Sequence, residues 1–80
     1  MNYQQHLALA MVAFGEGDLD AALAGLNDAM AEAVRLDPEG PRVAELCGYL
    51  VQVRQKAGDA AGAAEAQARA EAIWARFPGL

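Results

Sequence analysis

The chain has 80 residues, enough for one small domain near the lower limit of independent folding. Apolar residues make up 55% of it and aromatics only 6%, much of the rest being alanine, so a close-packed but thin core is expected, one that a partner chain would support. A net charge of −5 argues against a nucleic-acid or anionic-membrane partner, and the single cysteine, Cys47, excludes an internal disulfide and fits a reducing compartment.

Strand signals are absent, and helix signals follow one another. From Tyr3, apolar residues recur at Leu7, Ala10, Met11 and Phe14, the spacing of a helix face. The run Leu7–Phe14 is too short to cross a bilayer and has no basic segment before it, which points to a soluble, cytoplasmic protein. Leu9, Val12 and Ala13 occupy the other side of this helix, so it is apolar nearly all round and is expected to be covered on more than one face. Gly15-Glu16-Gly17 stops it, because glycine accepts the left-handed conformation of a helix end.

Asp18 stands where a second helix needs an N-cap acceptor. Leu19, Ala22, Leu23, Leu26, Met30, Ala33 and Val34 predict the buried stripe of that helix, while Asp20, Asn27, Asp28, Glu32 and Arg35 face water. Pro38 disfavours the helical conformation at Asp37, and Glu39-Gly40-Pro41 completes the turn. A third helix starts near Pro41-Arg42, with Val43, Leu46, Cys47, Leu50 and Val53 inward.

Gly58 closes the third helix and Asp59 caps a fourth, which runs through Ala63, Ala64, Ala66, Ala70, Ile73, Trp74 and Phe77 before Pro78-Gly79, with Trp74 expected to stay partly exposed in a monomer. On that helix Glu65 and Arg69 stand one turn apart, an ion pair worth a few tenths of a kcal/mol. Connections this short force neighbouring helices antiparallel. The expected fold is all-α: one domain over residues 1–80, built from two stacked antiparallel hairpins of four helices.

The hairpins are copies of one unit. Gly17-Asp18-Leu19-Asp20-Ala21-Ala22 returns as Gly58-Asp59-Ala60-Ala61-Gly62-Ala63, 41 residues on, and the Xaa-Pro stops at Pro38 and Pro78 lie 40 apart. The copies are unequal in charge. Residues 1–40 carry −6 and residues 41–80 carry +1, an asymmetry that would bias head-to-tail packing unless it marks only solvated faces.

At these residues the chain resembles the tetratricopeptide repeat family. Leu9 and Ala10 match the Leu-small pair of its first helix, Gly17-Asp18 the turn, Ala22 and Ala29 the small positions of the second helix, and Asp37-Pro38 the terminator. Leu50, Gly58-Asp59, Ala63 and Ala70 hold the corresponding places in the second copy. The period exceeds the usual repeat of about 34 residues and is similar to the kinesin light chain variety, whose second helix runs further. The resemblance implies a right-handed α-solenoid fragment, with repeat 1 over about 2–38 and repeat 2 over about 41–78. Val51 in place of a small residue, Arg54 in place of an aromatic and Phe77 in place of the terminal Asp depart from the pattern, and no polar capping helix is expected within these 80 residues.

The resemblance also implies a ligand groove lined by the first helix of each repeat: Gln4, Leu7, Met11 and Phe14, then Glu45, Gln52, Gln55 and Lys56. An apolar strip beside an amide-rich one suits an amphipathic helix or extended peptide. Leu7, Met11 and Phe14 serve equally well as core or dimer contacts, and Tyr3, Trp74 and Phe77 are further candidates for an oligomer interface. His6 has no Cys or His at ligand spacing, so no metal is expected. Cys47 reads as a packed thiol without a base, and Gly15-Glu16-Gly17-Asp18 lacks the lysine of a phosphate loop, so neither catalysis nor a cofactor is expected. The expected function is a small adaptor or chaperone binding a protein or peptide. The alternative is a structural homodimer whose protomers together complete a four-repeat array, since such arrays need about three repeats for stability.

Overall fold

Two chain reversals of the same construction build the molecule. The computed structural model describes residues 2–77, which form four helices: α1 (Tyr3–Gly15), α2 (Leu19–Leu36), α3 (Pro41–Lys56) and α4 (Ala60–Trp74). Pro78 and Gly79, read above as the stop of the second repeat, lie outside the described residues. At the α1–α2 turn Gly17 adopts φ +80°, its N–H donates to the Phe14 carbonyl, and the Asp18 N–H reaches back 2.9 Å to the Ala13 carbonyl. At the α3–α4 turn Gly58 adopts φ +81°, its N–H donates to Gln55, and the Asp59 N–H donates to Arg54 at 2.8 Å. Both are Schellman closures, in which a left-handed glycine lets the chain satisfy the last carbonyls of a helix.

The residue that ends one helix then begins the next. The Asp18 carboxylate accepts from the Ala21 N–H at 3.1 Å, and the Asp59 carboxylate from the Gly62 N–H at 2.9 Å. Asn2 and Gln5 form a reciprocal capping box at the start of α1, with both bonds 2.9 Å long. At α3, Gly40 and Pro41 set the entry without a side-chain cap. The duplicated Gly-Asp pair is thus a hinge with two hydrogen-bonding duties, and this is why it recurs as a unit.

α1 packs on α2 and α3 on α4, and the hairpins join through α2 and α3. The largest fully buried side chains are Leu26 on α2 and Leu46, Val43, Val53 and Cys47 on α3, so the core is centred between the two middle helices. Nine of the seventeen buried apolar residues are alanines, which lets backbones approach closely but removes little apolar area each. At one close approach of α1 to α2, a Cβ on Gly25 would meet Ala10 Cβ at 2.9 Å.

The inward stripes of α2 and α3 lie where the 3–4 spacing puts them. α1 and α4 differ from expectation. α1 buries only Ala10 and Ala13, while Leu9 and Val12 are 56% and 60% exposed, so the described chain leaves one apolar side of α1 uncovered. α4 buries Gly62, Ala63, Ala66, Ala70 and Ile73 but turns Ala64 outward, because a single inward row is all that α3 covers; Trp74, 42% exposed, is partly open as expected. Glu65 and Arg69 do not pair; Gln67 Nε2 donates to Glu71 Oε1 at 2.9 Å instead. Arg54, off-pattern in the second copy, has a local use. Its Nη1 donates to the Gly62 carbonyl at 3.1 Å, and its stem fills the space beside that glycine.

Candidate functional site

The two rows nominated as a groove stand on α1 and α3. On α1, Leu7, Met11 and Phe14 lie at 3–4 spacing, half-buried against the core, with Gln4 exposed one turn earlier. On α3, the buried row Val43, Leu46, Leu50 and Val53 leaves Glu45, Gln52, Gln55 and Lys56 exposed on the far side. The result is an apolar shoulder and a polar one on different helices.

These rows are bridged at one end. The Arg42 guanidinium sits 5.0 Å from the Tyr3 ring centroid, a cation–π contact between the first turns of α3 and α1. Tyr3 and Arg42, with Asn2, Gln4, Glu32 and Leu36, line a hollow of about 210 Å³ where α1, α2 and α3 meet. Gln55 belongs to a different hollow, about 330 Å³, with Val51, Ala60, Ala63, Ala64 and Gln67 on the outer side of the second hairpin. The eight nominated residues therefore do not converge on one cavity. They form an open surface along two helices.

Tyr3 and Phe77, candidates for an oligomer interface, are half-buried against the chain's own core; Trp74 is 42% exposed. Phe77 also faces a hollow with Asp37, Pro38, Glu39 and Arg76, where Arg76 pairs with Glu39 across the ends of the hairpins. Two residues on the polar row escaped the sequence reading. Tyr49 lies four residues after Glu45 and three before Gln52, hence on the same face, and Arg42 lies one turn before Glu45. Extending the i, i+3, i+4, i+7 row in both directions from Glu45 would have found both.

Cys47 lies at the floor of a further hollow of about 330 Å³ between α2, α3 and α4, with Met30, Leu50, Arg54 and Arg69 around it, and is 1% exposed. Burial pushes its thiol above the ordinary value, and the Arg69 and Arg54 charges oppose this only in part. A protonated, covered thiol is a packing group and not a nucleophile. Among the described residues no three His, Cys, Asp or Glu side chains gather as metal ligands, and no helix is long and apolar enough to cross a membrane. Compared with known proteins, the chain matches no family model, no curated protein and no solved structure.

Proposed function

We propose that this chain is a protein–protein interaction module of the tetratricopeptide-repeat kind, a small cytoplasmic adaptor or chaperone without catalytic activity. Its ligand is a peptide or helix of another protein, laid across α1 and α3. The observation that supports this is the half-buried apolar row Leu7, Met11 and Phe14 on α1 together with an exposed amide-bearing row on α3, the two helices being joined at Tyr3 and Arg42. Such a ligand would set apolar side chains on α1 and hydrogen-bond to Gln52 and Gln55. Met11→Asp plus Phe14→Asp removes the apolar row. Because both residues also touch the core, Gln52→Ala plus Lys56→Glu, fully on the surface, is the companion variant. Partner recovery by affinity capture should fall with either pair. Unchanged recovery by both folded variants would sink the groove reading.

The second reading, a homodimer completing a four-repeat array, is favoured by the exposure of Leu9 and Val12 on the other side of α1.

A further inference from the structure

We infer that a second copy of this chain covers the open side of the first hairpin, α1 against α1, across a twofold axis. This gives the homodimer reading a surface and a symmetry. The surface starts from Leu9 and Val12, 56% and 60% exposed. Around them α1 carries no Asp, Glu, Lys or Arg anywhere from Tyr3 to Gly15, in a chain of net charge −5. The surface continues onto α2. His6, one turn before Leu9, stands 4.0 Å from Asp28, so the Asp28 row of α2 flanks the same side. That row also presents exposed Ala21, Ala24 and Ala31, small enough for another helix to approach.

The other end of the molecule is built differently. At matched positions 41 residues on, Phe14, Leu23, Leu26 and Met30, all buried or half-buried, are replaced by exposed Gln55, Ala64, Gln67 and Glu71. The second hairpin has thus lost the apolar groups on which a further hairpin would rest. Its polar pair Gln67–Glu71 is already hydrogen-bonded; Trp74 is 42% exposed, and Val51 is half-buried beside Gln55 and Gln67. Head-to-tail stacking would bury that polar pair under the apolar α1 side without new partners.

Pairing α1 with α1 instead joins two uncharged helices and uses the same patch, Leu9 and Val12, on each copy, so assembly closes at two. With the helices antiparallel, Glu16 of each copy comes beside the first turn of the other copy's α1, where a negative charge is favourable. The face of α1 and the adjoining α2 row, about 20 Å long and two helix widths of about 10 Å across, gives a footprint of about 400 Å² on each copy. This falls below the about 800 Å² per partner of a standard stable interface, so the dimer is a weak one.

Sedimentation velocity on the full chain from about 5 µM to about 1 mM tests this, a range wide enough to populate a weak dimer. The expected result is a reversible monomer–dimer equilibrium with no larger species. Leu9→Glu plus Val12→Glu should weaken it at least about 30-fold by placing like charges face to face, while Trp74→Ala leaves it unchanged. Leu9→Cys should form disulfide dimers under mild oxidation and Ala72→Cys should not, a readout that holds even if the double variant folds poorly. A monomer throughout the range would end both the homodimer reading and this surface. A dimer insensitive to Leu9 and Val12 but lost with Trp74→Ala would end this surface alone, and growth beyond two would overturn the twofold closure.

Discussion

Gly25 offers the sharpest test of how the two helices of the first hairpin meet. A Cβ placed on it falls 2.9 Å from Ala10 Cβ, 3.2 Å from Ala10 Cα and 3.3 Å from the His6 carbonyl oxygen. All three atoms belong to the α1 backbone or are fixed to it, so no flexible side chain can swing aside and α1 itself would have to lift. Overpacking of this kind costs about 1–3 kcal/mol. Replacing an interior glycine by alanine returns about 1 kcal/mol of helix propensity. Gly25→Ala is therefore expected to destabilise by about 1 kcal/mol, lowering the Tm by about 4–8 °C at this chain length. Gly48, midway along α3, is the internal control: nothing lies within 4 Å of a Cβ built there. Gly48→Ala should keep the propensity gain alone and stabilise by about 1 kcal/mol. Urea and thermal melts followed by circular dichroism read both signs. Gly25→Ala combined with Ala10→Gly should recover part of the loss, with a coupling above about 0.5 kcal/mol. If Gly25→Ala stabilised the chain as Gly48→Ala does, the close approach of α1 to α2 would be refuted.

The repeated turn and the buried thiol yield two more expectations. Gly58→Ala forces an L-residue to φ +81° and should cost about 1 kcal/mol or more, with Asp59→Ala costing about 1 kcal/mol through the lost cap on Gly62; equal melting of wild type and both variants would contradict the turn geometry. Because folding raises the Cys47 pKa, its contribution to stability is complete below the unfolded value of about 8.5 and is lost as pH climbs through the folded one. Urea midpoints should decline from pH 8 to pH 10 more steeply for wild type than for Cys47→Ala, and thiol labelling of native protein at pH 8 should be far slower than in denaturant. Rapid native labelling would place the thiol at the surface.

Much of the molecule was legible in the chain itself, for reasons that are local. A glycine that must turn left-handed followed by an aspartate that must cap is a short-range signal, and it set both hairpin turns. The rows Leu26–Met30–Ala33 and Val43–Leu46–Leu50–Val53 were readable because those helices are amphipathic and have one obvious inward side. α1 and α4 are not of this kind. Where nearly every residue is apolar, or nearly every one is alanine, periodicity no longer distinguishes faces, so it does not tell the open side of Leu9, Val12 and Ala64 from the covered one.

The candidate groove shows the same division. Helical spacing was enough to put Leu7, Met11 and Phe14 in one row and Glu45, Gln52 and Lys56 in another, but not to join the rows. The contact between Tyr3 and Arg42, which bridges them at one end, depends on how the first turns of α1 and α3 come together across the α2–α3 connection. The amino-acid order determined the number of helices, their caps and their two-copy plan, since each depends on residues within a turn of one another. Only the tertiary structure decided which apolar residues lack cover, because exposure is a property of the neighbouring helices. It left Leu9 and Val12 open at one end and placed Gln67 and Glu71 at the other.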